Sequence, residues 1–168
     1  ITADNKTKKY LSSVPELTYT CTGFVNGENT EVFDVAPTIT CDARQDSQVG
    51  DYSIEVTGGS DNNYDFSYIA GVLTITKADQ TVTFTTFPGS LHINETFELG
   101  AVATSGLPVS IESRDLQVAQ ITGTTIRGVS AGNAERTASQ PGNDNYNPAE
   151  TEMTVVVIPR EVTTSTPY

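Results

Sequence analysis

Between Gly71 and Phe84 the chain reads Gly-Val-Leu-Thr-Ile-Thr-Lys-Ala-Asp-Gln-Thr-Val-Thr-Phe, with apolar and polar positions alternating on both sides of a short break. Leu73 and Ile75 share one side of an extended segment, and Val72, Thr74 and Thr76 the other. Val82 and Phe84 resume the period of two, so one half-buried strand ends and another begins. A joint confined to Lys77–Gln80 predicts two modules held end to end, residues 1–78 and 79–160, as an elongated monomer.

Upstream, Ile1 to Tyr10 alternates weakly, and Leu17, Tyr19 and Cys21 oppose Thr18, Thr20 and Thr22, which predicts a first hairpin around the loop containing Pro15. Asn26 to Phe33 is the only helix candidate in this half, with a polar start and early acids. Pro37, Ile39 and Cys41 alternate, as do Tyr52, Ile54 and Val56, and Phe66, Tyr68 and Ala70 lead into the strand at Gly71. In the second half the pattern predicts seven strands, at 82–84, 97–103, 109–113, 118–122, 125–129, 134–139 and 153–158, separated by Gly and Pro turns. Seven short strands predict a β-sandwich.

Composition narrows the function classes. The net charge is −12; residues 1–78 hold five basic and eleven acidic side chains and residues 79–168 hold four and ten, so each half carries −6. Acidity spread this evenly disfavours nucleic acid and anionic membranes as partners. No apolar run approaches the roughly 20 residues of a membrane span. The chain does not open on a secretion signal, so export implies one already removed. Residues 161–168, rich in Thr, Ser and Pro, read as a linker or tail.

Little in the sequence carries chemistry. The one histidine, His92, lacks a motif that would place a nucleophile beside it, and Asp61 with Asp65 is a carboxylate pair expected by chance on so acidic a chain. Two cysteines and one histidine do not make a zinc set, and no Gly-rich phosphate loop is present. The expectation is a protein without catalytic residues, cofactor or metal. Gly59-Ser60-Asp61-Asn62-Asn63-Tyr64 is echoed by Gly142-Asn143-Asp144-Asn145-Tyr146, and both runs read as structural turns anchored by a tyrosine, with calcium ligation the less favoured reading. Tyr10, Tyr64, Tyr68 and Tyr146 are the aromatics available for stacking on sugar rings, although tyrosine in strands more often packs. Of these, Tyr64 and Tyr146 are the candidate ligand contacts. Asn5-Lys6-Thr7 and Asn94-Glu95-Thr96 match glycosylation acceptors without further support.

Several runs taken in order resemble a known family. Leu17-Thr18-Tyr19-Thr20, Thr22-Gly23-Phe24-Val25-Asn26-Gly27, Val49-Gly50-Asp51-Tyr52, Val56-Thr57-Gly58-Gly59-Ser60 and Leu73-Thr74-Ile75-Thr76-Lys77-Ala78 resemble the MBG repeats of bacterial cell-surface proteins. Tyr10-Leu11-Ser12 stands where that family usually has Tyr-Gly-Asp. From Gln80 to Pro159 the chain is similar to a bacterial immunoglobulin-like repeat, through Ser105-Gly106-Leu107-Pro108-Val109, Gly128-Val129-Ser130-Ala131-Gly132 and Ala138-Ser139-Gln140-Pro141-Gly142-Asn143-Asp144-Asn145-Tyr146. The resemblance implies a mostly β chain, a β-grasp-like module followed by an immunoglobulin-like β-sandwich. It also implies an extracellular place on a bacterial surface and a role as spacer, or alternatively as an adhesin binding a host glycan or protein.

Two further expectations follow from the resemblance. Cys21 and Cys41 stand where such repeats usually carry other small residues, and alternation puts both on the core side, so they are expected to pair as a disulfide. The ubiquitin-like strand order weighs against this by separating their strands. Arg136 shares a face with Ala134 and Ala138 where such repeats place an apolar side chain, so it is expected to reach out to solvent, to pair with a carboxylate, or to mark a shifted strand. An unpaired buried guanidinium is the outcome this reasoning excludes.

Overall fold

Strand β5 (Gly50–Thr57) buries Ile54 and Val56 and exposes Glu55 and Thr57, and β6 (Gly71–Thr76) buries Leu73 and Ile75 while Val72 and Thr76 face out. They pair antiparallel with Tyr52 opposite Leu73, so their apolar sides fall on one face of the sheet. In this computed structural model, which describes residues 1–161, the chain divides into two units, Ile1–Ala78 and Asp79–Tyr168. The tail expected over 161–168 lies outside the described residues except for Glu161.

In the first unit β2 (Lys6–Lys9) runs parallel to β6, and β4 (Thr38–Cys41) runs antiparallel to β5, giving the order β2-β6-β5-β4. Strands from the two ends of the unit therefore lie side by side, as a β-grasp-like module requires. A short ribbon of β1 (Thr2–Ala3) and β3 (Tyr19–Thr20) forms the predicted hairpin in reduced form. The core gathers Ala3, Ala43, Ile54, Val56, Leu73 and Ile75, and full burial of each large aliphatic is worth about 1.5–3 kcal/mol. Lys8 is also buried, and its Nζ donates to the carbonyls of Ser12 and Gln45, both at 2.9 Å. The helix candidate shrinks to one 3-10 turn at Thr30–Val32, because Asn26 adopts a left-handed backbone (φ 56°) that a right-handed helix cannot contain.

The second unit begins with β7 (Val82–Thr86), which pairs with β10 (Gly100–Ala103). After Pro88 and Gly89 the chain crosses over, and β8 (Ser90–His92) pairs in parallel with the end of β15 (Ala149–Ile158). The segment expected as one strand over 97–103 is two, β9 (Thr96–Glu98) and β10, interrupted at the buried Leu99. β9 pairs with β13 (Thr125–Gly128), which pairs with β12 (Ala119–Thr122). β14 (Gly132–Gln140) lies between β11 (Ser110–Ser113) and β15. The sheets of this unit are β7-β10, β9-β13-β12 and β8-β15-β14-β11, and residues of the last two face one another across a common core, as in a β-sandwich. Leu91, Leu99, Ala119, Ile126, Val155 and Val157 are central to the core, and Val82, Ala103 and Ala138 form a smaller cluster.

Two expectations fail here. Arg136 is fully buried on the inner face of β14, between Ala134 and Ala138. Its Nη1 donates to Ser113 Oγ at 3.2 Å and to the Glu135 carbonyl at 2.8 Å. Nε and Nη2 are buried without a hydrogen-bond partner among the described residues. The strand is not shifted, because β14 and β15 keep one register from Gly132 opposite Val157 to Gln140 opposite Ala149. The excluded outcome is therefore the one the fold adopts, eased by two neutral acceptors and by alanines that leave room for the side chain. Burial lowers the guanidinium pKa and Asp115 opposes that shift.

The expected Cys21–Cys41 disulfide is also absent: both are free, half-buried thiols. Cys41 ends β4, the edge of the sheet opposite β2, whereas Cys21 follows β3, whose partner β1 leads into β2. The sheet thus separates the strands that carry them, and a bridge demands close Cα atoms.

Candidate functional site

Two connections of the first unit, residues 23–36 before β4 and 58–70 before β6, converge on four aromatic rings. Phe33 follows the 3-10 turn, whose first exposed amide is satisfied when Glu31 N donates to Asn29 Oδ1 at 2.8 Å. Tyr64 is placed by an Asx turn, in which Asp61 Oδ1 accepts from the amides of Asn63 (2.7 Å) and Tyr64 (3.1 Å). Val35 and Ser60 exchange two backbone hydrogen bonds of 3.1 and 3.0 Å and so clamp the two connections together. Gly59, at φ 80°, lets the backbone pass close to Phe66: a Cβ there would lie 2.9 Å from that ring and 3.0 Å from Pro37 N.

The rings form a chain of contacts. Phe24 lies 5.5 Å from Phe33 and 5.5 Å from Tyr64, the latter edge-on, and Phe33 lies 4.7 Å from Phe66. The Tyr64 hydroxyl donates to the Glu28 carboxylate and accepts from Val25 N at 3.1 Å. That bond to Glu28 holds the phenol above its usual range. All four rings line a cleft of about 60 Å³, together with Cys21 and Asp65 among others. Burial raises the Cys21 thiol pKa. Residues 23–36 and 58–70 hold Glu28, Glu31, Asp34, Asp61 and Asp65 and no Lys or Arg.

The residues singled out from sequence fall in different places. Tyr64 is a wall of this cleft. Tyr146 belongs to the other unit and sits in a turn built like that of Tyr64, with Asn143 Oδ1 accepting from the amides of Asn145 and Tyr146, both at 2.9 Å. Tyr10 packs against the first core, and the Tyr68 hydroxyl donates to the Gly58 carbonyl. Cys41 lines a separate groove with Asp42, Asp51 and Glu55. His92 Nδ1 lies 3.2 Å from the Pro159 carbonyl oxygen. Among the described residues no group of three or more His, Cys, Asp or Glu side chains is placed to hold a metal ion. No described helix is long and apolar enough to cross a membrane. The sequence reading missed Phe24, Phe33 and Phe66 as a group; the available signal was three phenylalanines in stretches lacking sustained alternation.

Residues 1–74 match the family model described as MBG domain (YGX type). A comparison with curated proteins returned no match. Among solved structures, domains 4 and 5 of the S-layer protein SbsC are 16% identical, covering 89% of this chain and 93% of that one, with a TM-score of 0.35. Extracellular domains 3–5 of Drosophila OTK are 14% identical, covering 95% of this chain and 60% of that one, at a TM-score of 0.38. A SusE-like surface-located polysaccharide-binding protein from the Bacteroides thetaiotaomicron heparin utilisation locus is 14% identical, covering 93% of this chain and 33% of that one, at 0.31.

Proposed function

We propose that this chain is a non-catalytic, extracellular segment of a bacterial surface protein, serving as a spacer that links or presents other domains. The observation that carries the reading is the MBG match over residues 1–74 in a chain whose second β unit starts only five residues, 77–81, after β6 ends. A connection that short limits the freedom of one unit relative to the next. The immunoglobulin-like fold of the second unit, and its resemblance to bacterial immunoglobulin-like repeats, fits the same role. The non-catalytic part of the reading is supported by the sequence, in which the one histidine, His92, lacks a motif that would place a nucleophile beside it.

Insertion of a flexible Gly-Ser segment between Ala78 and Asp79 tests the spacer role. Small-angle scattering is expected to show a broader distribution of end-to-end distances, with the circular dichroism of both units unchanged. An unaltered distribution refutes a stiff joint. A second reading, an adhesin for a glycan or protein, is favoured by the exposed aromatic cleft at Tyr64. It requires a saturable hit on a glycan or protein array that Tyr64→Ala or Tyr146→Ala abolishes while the chain stays folded. Hydrolysis of a glycan or peptide, lost on a single substitution, overturns both.

A further inference from the structure

We propose that Asn26 is a site of spontaneous covalent modification: its side chain cyclises onto the Gly27 nitrogen and reopens as aspartate or isoaspartate, and the change releases Tyr64 from the connection that holds it. This does not rest on the spacer reading.

The first support is the turn in which Asn26 sits. It is the one asparagine of the chain that glycine follows. Glu28 N donates to the Val25 carbonyl at 3.0 Å, and φ of 56° at Asn26 and 76° at Gly27 makes this a type I′ turn. Both residues are exposed, and among the described residues no hydrogen bond engages the Asn26 side-chain amide or the Gly27 N–H. Other asparagines are held. Asn5 Oδ1 accepts from Val72 N, Asn29 Oδ1 from Glu31 N and Asn94 Oδ1 from Arg127, while Asn147 Nδ2 donates to Asp79.

The second support is how the reaction fits that backbone. Gly27 N attacks Asn26 Cγ, so a new N–C bond closes a succinimide ring; the Gly27 N–H proton passes to solvent base, the Cγ–Nδ2 bond breaks and Nδ2 leaves as ammonia. Water then opens the ring at either carbonyl, which gives aspartate by one route and isoaspartate by the other. Closure requires the Asn26–Gly27 peptide to flip so that its nitrogen meets Cγ. That flip converts a type I′ turn into type II′, which keeps φ of Asn26 positive and reverses the sign at Gly27. Glycine adopts either sign, and a Cβ at Gly27 would meet nothing within 4 Å, so no neighbour obstructs the motion.

The third support fixes the consequence. Both partners of the Tyr64 hydroxyl lie in this turn: it accepts from Val25 N at 3.1 Å and donates to the Glu28 carboxylate. Isoaspartate carries the main chain through the former side chain and lengthens the turn, so the Glu28–Val25 bond and the grip on Tyr64 cannot both persist. Either product also adds a negative charge two residues from Glu28, which repels the carboxylate that Tyr64 uses.

The test follows the native full chain and the same chain unfolded in urea, incubated side by side at mildly alkaline pH, by peptide mapping with fragmentation that separates isoaspartate from aspartate. The native chain is expected to gain about 1 Da at residue 26, as both isomers, at a rate that rises in proportion to hydroxide and stays within about ten-fold of the unfolded chain. Gly27→Ala is expected to slow the gain at least about ten-fold, and Asn26→Gln to abolish it, with unchanged resonances of Ile54 and Leu73 certifying both folds. In the aged chain the amides of Val25, Glu28 and Tyr64 are expected to shift further than in Asn26→Asp, which adds the charge without lengthening the backbone. A native rate more than about ten-fold below the unfolded one, or an earlier gain at another asparagine, overturns the modification site. An unmoved Tyr64 amide in the isoaspartate form overturns the release.

Discussion

Replacing Arg136 by methionine should stabilise the second unit. The guanidinium is fully buried, and Nε and Nη2 have no partner among the described residues. Each buried polar group left unsatisfied costs about 1–3 kcal/mol. Against this stand two hydrogen bonds, from Nη1 to Ser113 Oγ and to the Glu135 carbonyl. Their loss strands neither acceptor: Ser113 Oγ still donates to the Ala119 carbonyl at 2.8 Å and accepts from Asp115 N, and the Glu135 carbonyl still accepts from Arg114 N at 3.2 Å. Methionine fills most of the vacated space with a flexible apolar chain, leaving a cavity penalty of about 1 kcal/mol. The net expectation is a gain of about 1–3 kcal/mol, in line with buried charges replaced by apolar side chains elsewhere. In a unit of this size that raises the melting temperature by about 4–8 °C per kcal/mol. Calorimetry of the full chain reads it directly as an upward move of one transition. A fall in stability refutes the reasoning, and a coupling above about 1 kcal/mol in a double-mutant cycle with Asp115→Asn would assign the fault to an ion pair in solution.

Three other outcomes are expected. Gly142→Ala should destabilise the second unit by about 1–3 kcal/mol in urea unfolding, because φ is 79° and the new Cβ would lie 2.4 Å from the Tyr146 carbonyl oxygen; a neutral effect would show that this turn moves at little cost. Purified under non-reducing conditions and denatured, the chain should show two reactive thiols, with Cys21 slower than a free cysteine in the native state because burial raises its pKa; fewer than two would restore the disulfide. Hydrogen bonds from Thr18 and Thr20 hold the Asp4 carboxyl below its usual range, and those from Thr124 and Thr125 do the same for Glu98. A depressed folded pKa gives stability that is present above the unfolded value, roughly pH 4, and is lost as pH falls through the folded one. Stability should therefore decline on acidification, and Asp4→Asn with Glu98→Gln should flatten that limb of the pH–stability curve; an unchanged slope would dismiss both groups as contributors.

Strands carried by strong alternation were legible from sequence because an inward and outward side is a local property, repeated every two residues. The inward faces of Ile54 and Val56 and of Leu73 and Ile75, and the existence of the strands that became β12 and β13, belong to that class. The Tyr64 and Tyr146 turns were legible too, since an Asp or Asn side chain bonding the backbone two and three residues on is also local. What only the tertiary structure decided depends on partners distant in the chain. β8 has three residues and exists because β15, more than sixty positions later, offers an open edge. The strand divides at Leu99, whose amide still donates to the Thr124 carbonyl at 2.8 Å, because β9 before it pairs with β13 and β10 after it with β7. The fate of Arg136 turned on Ser113 and Glu135 supplying acceptors across β11 and β14, and that of the cysteines on which edges of a sheet their strands reached. The aromatic cleft is of the same kind: Phe24 and Phe33 come from one connection, Tyr64 and Phe66 from another, and no local pattern relates them. Periodicity reports how a segment divides its faces between core and water; it carries no information about which distant segment meets those faces, and that meeting built the candidate site.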